Sequence, residues 1–112
     1  MKMAGGEMMV PDWPGRIVGD EGHDRIAACL VLDIQNAPEW AQIVLDRVDA
    51  IINGSEDHWE MAMNAYILKM DAAICEIAPA YEEQDEEIVW VPSLEFRAAL
   101  VAWIKQIDQS TG

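Results

Sequence analysis

His23, Cys29, His58 and Cys75 have the strongest claim to chemistry in this chain, because imidazole and thiolate together could build a zinc site or a Cys–His nucleophile. Their spacing argues against both. No two of them lie at the short separations that structural zinc sites use. Each thiol also sits in an apolar run, "AACLV" for Cys29 and "AICEI" for Cys75, where its pKa rises and its nucleophilicity is lost. The carboxylates offer a different chemistry, general acid–base catalysis, but with 21 Asp and Glu no single pair is informative. There is no phosphate-cradling Gly loop and no Ser in a nucleophile elbow. The expectation is therefore no enzyme, no metal and no cofactor, with two buried free thiols in a reducing cytoplasm.

Negative charge is what the chain has in excess. Seven Lys and Arg leave a net charge of -14, which disfavours contact with nucleic-acid phosphates or an anionic membrane. A basic protein is the natural counterpart, since such a surface speeds encounter with a cationic partner and repels wrong ones. The acid is densest in "AYEEQDEEIVW", where Glu82, Glu83, Asp85, Glu86 and Glu87 lie between Tyr81 and Trp90. A carboxylate run between strands commonly serves only to solvate a loop and protect a sheet edge. Here Tyr81 and Trp90 flank it, and aromatic side chains beside charge are the anchors that carry interface energy. Asp46 and Asp49 are a second candidate contact, on the polar side of a helix.

The elements that must position these residues fit one domain over 1–112, with a loosely ordered arm over 1–25 and a core over 26–109. The longest apolar run, Ala98 to Ile104, is far below the ~18 residues that suggest a membrane span, and the N-terminus lacks the apolar block of a secretory signal. Trp13 in "PDWPG" reads as covering an edge or meeting a partner, and "RIVG" as a short strand. "IAACLVLDI", Ile26 to Ile34, reads as a further strand because it is short and apolar.

A helix follows, with Asn36 as cap, Pro38 in the first turn, and Trp40, Ile43, Val44, Val48, Ile51 and Ile52 as its apolar stripe. Gly54 supplies a left-handed stop. In "HWEMAMNAYILKMDAAICEIAP" helical and alternating periods are both present, so the pattern alone leaves helix and hairpin open. "EIVWV" reads as a strand. Ser93 then caps a helix whose stripe is Phe96, Leu100, Trp103 and Ile107, before the chain frays in "DQSTG".

The order of "NGSED", "WEMAMNAYILKM", "ICEI", an acidic loop and "VPSLEFRAALVAWI" resembles a pattern in small acidic bacterial proteins. These include immunity proteins of contact-dependent growth inhibition and other polymorphic-toxin systems, and an uncharacterised YacL-type group. The resemblance covers residues 36 to 108 and rests on "NAY", "VPSLEF" and the final Trp, with no catalytic signature. It implies that the "NAY" segment is a strand of a hairpin. Ala72 and Ala73 depart from the pattern, since Gly or Asn is expected at that turn. The implied fold is α+β, a small antiparallel sheet with two helices packed on one face, as a two-layer sandwich. Trp40, Ile43, Val48, Ile51, Leu68, Phe96, Leu100 and Trp103 would lie between the layers, leaving the other sheet face free for contacts.

The implied function is that of an immunity protein: a 1:1 complex with a basic cognate toxin, a nuclease domain, held through Tyr81, Glu82, Glu83, Asp85, Glu86, Glu87 and Trp90, with Asp46 and Asp49. Rival readings are an acidic adaptor with an endogenous partner and a small enzyme with an unrecognised carboxylate site.

Overall fold

The computed structural model describes residues 10–81 and 84–111 of the chain. Asp20 starts the first helix, α1 (Glu21–Cys29): its carboxylate accepts from the His23 backbone N–H at 3.0 Å, and Glu21 and Asp24 put negative charge in the first turn. At Leu30 the helix widens into a π-helical turn, Leu30–Ile34, closed by the Gln35 N–H donating to the Leu30 carbonyl at 2.7 Å. This corrects the strand expected over Ile26–Ile34. Ile26, Leu30 and Ile34 recur every fourth residue and are all fully buried, a helical stripe that the shortness of the apolar run concealed. The strand expected at "RIVG" is also absent, for Arg16–Gly19 passes through turns with Ile17 and Val18 exposed.

Helix α2 (Pro38–Ile52) has Pro38 in its first turn as expected, but Ala37 stands at the cap position and Asn36 makes no cap. Asn53 and Gly54 end it, Gly54 taking the left-handed conformation at φ 87°. Its buried face is Ala41, Val44, Val48 and Ile51. Ile43, assigned to the core from its spacing, is instead 52% exposed.

The middle segment forms strands β1 (Trp59–Ala62), β2 (Tyr66–Met70) and β3 (Ile74–Pro79), as the resemblance implied. The β2–β3 turn does without Gly because Asp71 Oδ1 accepts from the backbone N–H groups of Ala73 (2.9 Å) and Ile74 (2.8 Å). These two bonds, Ile74 first, hold the Asp71 carboxyl below its usual pKa. Strand β4 (Val89–Pro92) completes a four-stranded antiparallel sheet in the order β1-β2-β3-β4. Helix α3 (Ser93–Thr111) follows directly and continues through the segment expected to fray. Ser93 is its first residue, and its hydroxyl donates to the Asp71 carbonyl at 2.8 Å, so it fastens the helix to the β2–β3 turn where a cap was expected.

Strand alternation sorts the sheet into two faces. Trp59, Met70, Cys75 and Val91 are paired across the four strands, as are Met61, Leu68, Ile77 and Val89, and these rows lie toward the helices. Phe96, Ala99, Leu100, Trp103 and Ile107 of α3 are buried, and α2 packs on α3 with an Asp49–Arg97 ion pair between them. The fold is thus α+β, a helical layer on one face of an antiparallel sheet, with three α-helices among the described residues where two were expected.

Trp13 belongs to this core. It is 3% exposed, its Nε1 donates to Glu95 of α3, and its ring meets His23 edge-on at 5.7 Å. The expected loose arm is therefore bound to the fold from Trp13, and residues 21–25 are already helical. Residues 1–9 lie outside the described residues.

Candidate functional site

Asp33, at the π-helical turn, is a buried carboxylate without a cationic partner in contact among the described residues. Its oxygens accept from the backbone N–H of Ala65 (2.6 Å) and Tyr66 (3.1 Å), and from Cys29 Sγ at 3.9 Å. Burial raises its pKa against the opposing effect of those bonds. Its role is to tie the turn to the β1–β2 connection. Burial likewise lifts the Cys29 thiol well above its usual value and Cys75 to about 12, so neither is poised as a nucleophile. His23 is engaged as well, with Nδ1 accepting from the Ile17 N–H at 2.8 Å and Nε2 lying 3.7 Å from Glu95. Among the described residues no three His, Cys, Asp or Glu come together as metal ligands.

The acidic segment connects β3 to β4. Tyr81 is exposed, and its N–H donates to Gln84 Oε1 at 2.9 Å. Asp85 is exposed with φ 53°, and Glu87 is exposed. Glu86 is partly committed to the fold, accepting from the Tyr66 hydroxyl at 3.1 and 3.3 Å and from Gln84 Nε2 at 3.2 Å. Glu82 and Glu83 lie outside the described residues. Asp46 and Asp49 are on α2, in the helical layer: Asp46 accepts from Gln42 Nε2 at 2.9 Å and Asp49 is paired with Arg97. They are not brought to the face on which Trp90 stands.

Trp90 stands on the outward sheet face, on the edge strand β4. It is 60% exposed, and the register places it in one cross-strand row with Glu76, Lys69 and Glu60. Its Nε1 donates to Glu76 Oε1 at 3.2 Å. A groove of about 330 Å³ along this row is lined also by His58, Asp71 and the partly exposed Ile74. Trp90 borders a second groove too, where Asp20 and Glu21 at the start of α1 face Ile88 and Pro92. The aromatic residue expected at the rim of a loop thus stands between two acid-lined grooves.

Sequence reasoning named Trp90 but missed Glu60, Asp71 and Glu76. The signal for Glu60 and Glu76 was present: once 59–78 is a hairpin, alternation puts them, with Lys69, on the face opposite the buried Trp59, Leu68 and Cys75.

Compared with protein-family models, with characterised proteins and with solved structures, the chain matches none. Among the described residues no helix is long and apolar enough to cross a membrane.

Proposed function

We propose that this protein is a stoichiometric inhibitor of the immunity type, binding a basic cognate toxin domain of the nuclease class in a 1:1 complex in the cytoplasm. The observation that carries this reading is the exposed Trp90 between two grooves whose charge is mostly carboxylate. An exposed Trp packed beside fixed carboxylates supplies both the anchor and the charge that a protein interface uses. A nuclease must be basic where it holds phosphates, so carboxylates presented there would occupy those sites and repel the substrate. Asp85 and Glu87, exposed at one end of the sheet, extend the same field. Burial of Trp90 would dominate affinity, while outlying charges would act on the rate of encounter.

The test is co-expression with the toxin domain encoded beside this chain. Growth rescue and co-purification of a 1:1 complex are expected. Failure of both would sink the reading, and capture of a housekeeping protein in place of the toxin would favour an adaptor.

A further inference from the structure

We propose that the outward sheet face reads arginine: a guanidinium of the partner stacks on Trp90 and pairs with Glu76, with Glu60 and Asp71 completing the charge of the groove. This rests on the reading that the partner is a basic protein, and it specifies which basic side chain the surface selects. The indole has one donor, and that donor is already given to Glu76 Oε1. What the exposed ring has left for a ligand is π surface. The carboxylate it holds stands at the ring's edge, and across the groove Glu60, Asp71 and Glu76 outnumber Lys69.

A purely apolar occupant would bury these carboxylates without a counter-charge, which is costly. An anionic occupant would be repelled. A planar, weakly hydrated cation meets both demands at once, stacking on the aromatic face while its N–H groups reach the carboxylate at the ring's edge. A lysine ammonium is a compact, strongly hydrated point charge that does not offer both contacts in one geometry. Ile74 and Pro92, paired across β3 and β4 on the same face, give the methylene stem an apolar border.

The experiment titrates the ¹⁵N-labelled protein with a short capped Gly/Arg peptide and its Gly/Lys counterpart at equal charge and ionic strength. The readout is the five Trp indole N–H signals, Trp90's being the one lost in Trp90→Phe. The Arg peptide is expected to move the Trp90 indole and the Ile74 and Glu76 amides, with affinity about threefold above that of the Lys peptide. Glu76→Gln should weaken Arg binding about tenfold while leaving the thermal melt in place. Equal response to both peptides, or shifts confined to Asp85–Glu87, would overturn the inference. Growth rescue by the Trp90→Ala/Glu76→Gln double variant would also overturn it while leaving the inhibitor reading intact. Arg selectivity in a chain that gives no rescue would overturn only the inhibitor reading.

Discussion

Tyr66 joins the core to the acidic segment through one hydroxyl. The Arg25 guanidinium lies over its ring at 5.3 Å, and Arg25 itself is buried, donating to the Ile77 carbonyl at 2.9 Å. Burial first, then the bond to Glu86, pushes the phenol up to about 12. A raised folded-state pKa means that the protonated phenol favours the fold. Its contribution is complete below the unfolded value near 10 and is lost as pH climbs toward 12. Ultraviolet titration should therefore show a phenol transition near pH 12 that is absent in Tyr66→Phe. The stability difference between the wild-type protein and Tyr66→Phe should narrow over the same pH window. A titration curve left unchanged near pH 12 by Tyr66→Phe would contradict the assignment.

At the scale of elements, α1 and its π-helical turn are the largest departure from the sequence reading. Asp20 was available as a cap and Ile26, Leu30 and Ile34 as a stripe, yet nine apolar-rich residues taken alone satisfy a strand equally well. The decision came from what surrounds them. Gly22 sets α1 close to β4: a Cβ added there would lie 2.9 Å from Val91 Cγ1. Gly22→Ala therefore weighs two opposed effects, a helix-propensity gain of about 1 kcal/mol and an overpacking cost of about 1–3 kcal/mol. Because Val91 is a buried, branched side chain with little room to move, the cost should win and the melting temperature should fall. A higher melting temperature would show that α1 slides freely on the sheet.

For the whole molecule, charge is spread evenly: residues 1–57 hold eleven acids and four bases, and 58–112 hold ten and three. A standard interface of about 800 Å² per partner would cover about one eighth of the 6482 Å² accessible surface. Most of the acid thus lies outside any single contact and acts at a distance. Replacing Asp85 and Glu87 by Ser and Gln should leave the melting temperature within error, because exposed charges contribute little to stability. With a basic partner in stopped flow, the same variant should associate more slowly and with a shallower dependence on salt, at nearly unchanged dissociation rate. Unchanged association would confine the acidic segment to solvation. Glu86 belongs outside that pair of substitutions, since its bond to Tyr66 gives it a structural duty.

Composition and local pattern determined the anionic surface, α2 with its Pro38 start and Gly54 stop, and the α3 stripe of Phe96, Leu100, Trp103 and Ile107. These depend on charge, turn chemistry and near-neighbour periodicity, all of which act within a few residues. The hairpin over 59–78 was legible only with help from resemblance, because two periods coexist there and burial chooses between them. Tertiary structure alone decided that Trp13 is core, that 26–34 is helical and that Ile43 faces solvent. It also decided that Trp90 belongs with Glu76 across the sheet more than with the carboxylates beside it in the chain. The physical reason is common to these cases: which face of an element is buried depends on partners distant in sequence, and Trp90 meets Glu76 only after β3 and β4 have paired.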